Sequence, residues 1–331
     1  MQSCKRVTCG VEGRTLSKHL GVVMDPLESI NPKKDSTLAM MEAAQSRGWQ
    51  VSEIQLSGLH MQGSELAIHY RRVEVQYDLN AWFKVLSHES GFANDFDVIL
   101  MRVDPPFNMD YVYATYLLEF AMRAGILVAN HPGSIRDCNE KLFALQFPQC
   151  TPELVVTSSP ETIKDFHAQH HDIILKPLDG MGGQSIFRLK PDDTNRNVII
   201  ETLTQDGHQL IMAQRYIPEI REGDTRILMI NGKPVPYGLA RIPSAGETRG
   251  NLAAGGSGVG RTLTDRDRWI CDQVGPTLVE KGLYFVGLDV IGDYLTEINV
   301  TCPTCVRELN AQFDLDIAGD YIDFLSQRLD D

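Results

Sequence analysis

The chain has 331 residues and a formal net charge of −13, with a pI near 5.1, long enough for two or three domains, each with its own core. The acidic balance excludes the basic patch that a nucleic-acid interface needs, and no apolar run reaches the length of a membrane span. Seven cysteines, odd in number and scattered, read as reduced thiols in a cytoplasmic protein.

Residues 1–19 contain Lys5, Arg6, Arg14 and Lys18 but no apolar stretch, which argues against a secretory signal. They read as an extension, either disordered or produced by a misplaced start codon, with a basic transit peptide as the other reading. The first folded segment opens with a strand at Leu20–Met24. Ser36 then caps a helix over Thr37–Arg47, which Gly48 ends. Strands follow at Gln50–Leu56 and Phe96–Val103, a helix over Tyr111–Arg123 and a strand at Ile126–Ala129. Alternating strands and helices imply an open, mostly parallel α/β sheet, giving a first domain over 20–138.

Beyond it, Asn139 caps a short helix carrying Lys141. Asp172–Lys176 and Ser185–Leu189 read as antiparallel strands around the loop Gly180-Met-Gly-Gly183, in a small domain over 139–208. A third domain over 209–331 holds a hairpin turning at Asn231-Gly232 and a helix over Asp265–Lys281. A second hairpin spans Gly287–Thr301, ahead of two terminal helices. The Gly-, Ser- and Ala-rich stretch 243–261 reads as a disordered loop or a lid.

Three features carry chemistry. Asp289, Glu297 and Asn299 interrupt the apolar pattern of the second hairpin with oxygen donors. Glu297 and Asn299 are two apart and share a strand face, which suits a hard cation completed by phosphates and water. Lys176 ends the apolar strand Ile173-Ile174-Leu175, where a buried amine is costly unless an anion meets it. The Gly-rich turn after it exposes backbone N–H groups suited to phosphate oxygens, although it is not a Walker A sequence. Together with Lys141, these features describe a site for a nucleoside triphosphate and its metal.

Register constrains the metal reading. A two-residue turn at Gly292-Asp293 in a regular ladder puts Asp289 opposite Thr296 and on the face away from Glu297. A loop of odd length, or a bulge, brings Asp289 opposite Glu297.

Long ordered blocks resemble the bacterial glutathione synthetases, members of the ATP-grasp carboxylate–amine ligases. They include Met101-Arg-Val-Asp-Pro-Pro-Phe107, Arg136-Asp-Cys-Asn-Glu-Lys141, Ile174-Leu-Lys-Pro-Leu-Asp-Gly-Met-Gly-Gly183 and Glu247-Thr-Arg-Gly-Asn-Leu-Ala-Ala-Gly-Gly256, and the second hairpin continuing to Pro303-Thr304 and Arg307-Glu308. The likeness runs from about Leu20 to the C-terminus. It implies an ATP-grasp fold behind an N-terminal α/β domain, and ligation of γ-glutamylcysteine to glycine through an acylphosphate. It also implies a homotetramer.

In residue terms, the resemblance puts Lys141, Lys176 and the glycines Gly180, Gly182 and Gly183 on the ATP phosphates. Gln214, Tyr216 and Ile217 would lie along adenine and Asp224 near ribose. Asp289, Glu297 and Asn299 would hold Mg²⁺, with Mn²⁺ as a substitute. Arg226 and Arg241 would face the transferring phosphoryl group, and Arg249 would belong to the lid. Asp25, Lys34, Asp35 and Asp104 in the first domain, with Thr301, Cys302 and Arg307, would contact γ-glutamylcysteine. Many members carry Ser where Cys302 stands.

Cys302-Pro-Thr-Cys305 fits C-x-x-C but lacks a second ligand pair at zinc spacing and a thioredoxin-like context. A D-alanine–D-alanine or glutamate-adding ATP-grasp ligase shares the lysines and the hairpin, and only the first-domain and lid motifs separate it. A non-catalytic nucleotide-binding regulator would not need both lysines, all three metal ligands and Arg241.

Overall fold

The computed structural model describes residues 17–180, 182–244, 250 and 255–330. Its strands form three sheets.

The first sheet is built from β1 (His19–Val23), β2 (Gln50–Ile54), β3 (Leu59–Gln62), β4 (Glu65–Val75), β5 (Phe83–Phe92), β6 (Val98–Met101) and β7 (Leu127–Ala129). β2, β1, β6 and β7 pair in parallel, as the alternating pattern implies. β3, β4 and β5 widen the sheet by antiparallel pairing. This extension was not anticipated from sequence, because β5 alternates between exposed and half-buried residues and has no apolar stripe to mark it.

The parallel strands are buried on both faces. Leu20, Val22, Val98 and Leu100 pack toward helix α1 (Ser36–Ser46), while Ile99 and Met101 pack toward α2 (Met109–Arg123). Asp35, and not Ser36, caps α1, accepting from the Leu38 N–H at 2.6 Å. The Ser36 hydroxyl instead accepts from the backbone N–H of Val306. Asn108 caps α2 by accepting from the Tyr111 N–H. A short helix α3 (Pro132–Asp137) follows β7.

The second sheet is antiparallel, ordered β10 (Phe187–Leu189), β9 (Ile173–Pro177), β11 (Ile211–Arg215), β8 (Leu154–Thr157). Helices α4 (Pro160–His170) and α5 (Arg196–Thr204) cover one face through Ile163 and Ile200. The third sheet, also antiparallel, runs β14 (Ser257–Thr262), β13 (Lys233–Ile242), β12 (Asp224–Ile230), β15 (Phe285–Ile291), β16 (Tyr294–Asn299). Residues 257–261, read from sequence as part of a loop, are therefore strand. Helix α6 (Asp265–Glu280) fills the space under this sheet with Ile270, Val274 and Leu278.

The two last helices, α7 (Val306–Phe313) and α8 (Ile317–Asp330), return to the first domain. Tyr321, Ile322 and Leu325 of α8 belong to the same core as α1 and β1. At the other end of β7, the buried Asn130 side chain donates to the carbonyls of Phe285 and Val300 and accepts from the Phe285 N–H. The chain thus fastens the second hairpin to the first sheet.

Candidate functional site

The hairpin β15–β16 solves the register problem with a bulge. Gly292 and Asp293 form a two-residue turn, Ile291 pairs with Tyr294 and Val290 with Leu295, but Asp289 pairs with Glu297. Thr296 is the extra residue, and its hydroxyl donates to the Asp289 carbonyl oxygen at 3.1 Å. Leu288, Val290, Leu295 and Ile298 stay in the core. Asp289 and Glu297 come to the opposite face, where the Asn299 amide donates to Asp289 Oδ2 at 3.2 Å.

Four cations meet these carboxylates. Arg226 Nε donates to Asp289 Oδ1 at 2.5 Å, and Arg241 Nη2 reaches Asp289 Oδ2 at 2.9 Å. Lys141 Nζ and Lys176 Nζ each lie 3.8 Å from Glu297 Oε1. Arg241 also pairs tightly with Asp224. Gly287 makes the packing feasible, since a Cβ there would lie 2.9 Å from Arg226 Cδ and 3.0 Å from Pro303 Cβ.

Burial sets the electrostatics. It lowers the pKa of Lys176, which is 4% exposed, even against the pull of Glu297. For Lys141, burial opposes the charge but Glu297 and Glu140 outweigh it, and the pKa is raised. Burial pushes Asp224 up to about 7 despite Arg241. Burial alone would raise Asp289 too, yet Arg226 and Arg241 hold it well below the usual carboxylate range. Such a cation-rich, partly dehydrated floor fits a polyphosphate.

The floor belongs to a cavity of about 880 Å³ lined from all three sheets. Gly180, Gly182 and Gly183 edge it with φ of 104°, 66° and 77°, positive values that side chains disfavour. Lys141 Nζ lies 3.4 Å from the Gly180 carbonyl oxygen. Elsewhere in the lining, Gln214 Oε1 and Asp224 Oδ1 are buried acceptors without a hydrogen-bond partner among the described residues. An amino-substituted base and a ribose hydroxyl carry the donors such groups lack. Ile174, Ile186, Tyr216, Ile217 and Ile291 supply apolar walls beside them.

The residues read from sequence as substrate contacts gather at the opposite wall. Asp25, Lys34, Asp35, Asp104, Thr301 and Cys302 line the cavity. Asp25 Oδ2 accepts from the Asp104 N–H. Arg307 does not line it: its guanidinium donates to the Asp35 carbonyl and to Glu42 Oε1, tying α7 to α1. Arg249 lies outside the described residues. Of the C-x-x-C thiols, Cys302 donates to the Arg102 carbonyl oxygen at 3.2 Å. Burial raises the Cys305 pKa, although the charges of Arg226 and Arg241 pull it down.

Arg102 and Glu308, neither singled out from sequence, also line the cavity. Arg102 is buried, and donates to Thr37 Oγ1 and the Pro303 carbonyl. Its signal was the one used for Lys176, a cation at the end of an apolar strand.

Oxygen donors on one face of β15–β16 fit a divalent cation of the Mg²⁺ type. Among the described residues no three His, Cys, Asp or Glu side chains form a metal cage. The donor set therefore suits an ion that relies on few protein oxygens and takes the rest from phosphate and water.

An antiparallel second sheet and the third sheet lining one cavity, with Lys176 from β9 and Lys141 from the segment after α3, is the ATP-grasp ligase arrangement. The D-cycloserine synthetase DcsG shares the fold, with a TM-score of 0.66 at 14% identity over 94% of this chain and 99% of that one. The ATP-grasp ligase PsnB, complexed with minimal precursor, Mg and ADP, gives 0.61 at 16% identity, covering 95% and 98%.

Residues 19–136 match the N-terminal domain of prokaryotic glutathione synthetase, and residues 140–314 its ATP-grasp domain. The glutathione synthetase of Pseudomonas aeruginosa is 57% identical over 95% of this chain and 99% of its own length. That of Vibrio cholerae is 54% identical over 94% and 98%. The chain belongs to the prokaryotic glutathione synthetase family: it is an ADP-forming ligase of C–N bonds that serves ATP-dependent glutathione synthesis.

Proposed function

We propose that this site joins γ-glutamylcysteine to glycine through an acylphosphate. The observation that carries the reading is the convergence of Lys141, Lys176, Arg226 and Arg241 on Asp289 and Glu297 at the cavity floor.

Lys141, Lys176 and the N–H groups around Gly180–Gly183 bind the triphosphate. Gln214, Tyr216 and Ile217 flank the base, and Asp224 accepts from ribose. Asp289, Glu297 and Asn299 would hold Mg²⁺, or Mn²⁺ in its place, which neutralises phosphate charge when bound. Arg226 and Arg241 orient the cysteinyl carboxylate and spread the charge that develops as it takes the γ-phosphoryl group. Glycine's amine then attacks the acyl carbon and phosphate leaves. The acylphosphate must be kept from water, a task that suits the segment 243–256 and Arg249 within it.

We propose domains over 20–138, 139–208 and 209–331, with the exceptions that β11 (Ile211–Arg215) completes the second sheet and α8 packs in the core of the first. Among the described residues no helix is long and apolar enough to cross a membrane. A cytoplasmic homotetramer is the assembly we infer from the family likeness. The test is ADP release by purified protein with γ-glutamylcysteine plus glycine. Release with D-alanine but not with this pair would overturn the reading.

A further inference from the structure

Glu308 lies in the first turn of α7 and lines the cavity beside the 301–305 segment. Its carboxyl group meets its own backbone N–H, but Oε2 is buried with no hydrogen-bond partner among the described residues. Burial raises its pKa, against the charges of Lys34 and Arg307. The adjacent Arg307 gives its guanidinium to Glu42 and the Asp35 carbonyl. Lys34, also on the cavity wall, forms no ion pair among the described residues. Of the other acids of that wall, Asp35 caps α1 and Asp25 accepts from the Asp104 N–H, while Asp104 is itself exposed, so its carboxylate carries no cost of burial. An unmatched buried carboxylate oxygen is costly, and a ligand that brings a charged N–H removes the cost.

We infer that Glu308 receives the α-ammonium of the γ-glutamyl residue, so that the free amino-acid head of the dipeptide is read by Glu308 together with Lys34. The inference rests on the substrate reading above. The reacting carboxylate must lie at Arg226 and Arg241, beside Cys305, one helical turn from Glu308. About seven bonds, on the order of 8 Å when extended, separate that carboxyl carbon from the glutamyl ammonium. Glycine's amine is the other candidate, but it must be neutral to attack, whereas the glutamyl ammonium stays charged throughout and gains from a carboxylate. Lys34 then faces the α-carboxylate on the same carbon.

The experiment compares γ-glutamylcysteine with glutaryl-cysteine, which lacks only the α-amine, in the full-length wild type and in Glu308→Gln. The wild type should lose about 10- to 100-fold in kcat/KM on the analogue, the worth of a charge-assisted hydrogen bond. Glu308→Gln should lose as much on γ-glutamylcysteine and little more on glutaryl-cysteine, with KM for ATP and glycine unchanged. Unaltered discrimination in the variant, or a rise confined to KM for glycine, overturns the assignment. Calorimetric binding of the two dipeptides to the wild type reads the ammonium without any variant, and equal affinities also overturn it. If the wild type releases no ADP with γ-glutamylcysteine and glycine, it is the substrate reading that fails, and this inference with it.

Discussion

Asp289 sits directly across the ladder from Glu297, and the Thr296 hydroxyl donates to the Asp289 carbonyl oxygen where the bulge widens the strand. One extra residue in β16 thus puts both acids on the cavity face while their neighbours Leu288, Val290, Leu295 and Ile298 keep the core face. Arg226, Arg241, Lys141 and Lys176 then have two carboxylates to gather around.

Glu297→Gln keeps the shape of the hairpin but removes the charge shared by Lys141 and Lys176. We expect turnover to fall by about 100-fold or more, the usual scale for losing one preorganised charge in a phosphoryl-transfer site. The loss should come with a higher requirement for divalent cation. Steady-state ADP release across a Mg²⁺ titration measures both, and retained activity would remove the hairpin from the mechanism.

Asp224 gives a pH signature. Its pKa is raised on folding from 3.8 to about 7, so the folded state holds a proton the unfolded chain has released. That contribution is fully present below pH 3.8 and is lost as pH rises through 7. Asp224→Asn imitates the protonated acid. Its stability without nucleotide should therefore gain on the wild type as pH rises from 5 to 8, because only the wild type gives up a proton over that range, on top of a pH-independent loss of the Arg241 ion pair. Thermal melts of both proteins at the two pH values decide it; an equal shift at both would sink the idea.

Gly287→Ala introduces a Cβ 2.9 Å from Arg226 Cδ and 3.0 Å from Pro303 Cβ. Overpacking at a buried contact costs about 1–3 kcal/mol. Because the displaced group is the Arg226 guanidinium, kcat should drop more than the stability loss implies. Denaturant melts alongside kcat separate the two effects.

Asn130→Ala leaves the Phe285 N–H and the carbonyls of Phe285 and Val300 without their partner, all three buried. A loss of about 3 kcal/mol or more follows from the usual cost of orphaned backbone groups. Urea unfolding would show it as a lower midpoint at unchanged slope. An unchanged midpoint would mean that water replaces the amide.

Much of this site was legible residue by residue. Lys176 at the end of Ile173-Ile174-Leu175 and the acids of Gly287–Thr301 stand out because strand periodicity makes a buried charge conspicuous. Arg102 stands out the same way once the rule is applied to β6. The Asp35 cap was harder to place, since Asp35 and Ser36 are both good capping residues and only backbone geometry selects between them. The strand β5 was hidden because it alternates exposed and half-buried residues with no apolar face of its own, whereas β4 carries one in Leu66, Ile68 and Tyr70.

The sequence alone determined that Asp289, Glu297 and Asn299 interrupt two apolar strands, and that only a bulge or an odd loop could make them one site. It could not choose between these, since Thr296 fits a regular strand as well as a bulge. Tertiary structure made the choice: Leu295 and Ile298 must both reach the core over α6, and the extra residue between them lets Glu297 face outward, opposite Asp289. Likewise the four cations are separate facts along the chain, from Lys141 to Arg241. They act as one charge field only because three sheets fold around a single cavity, where low polarity strengthens every pairing.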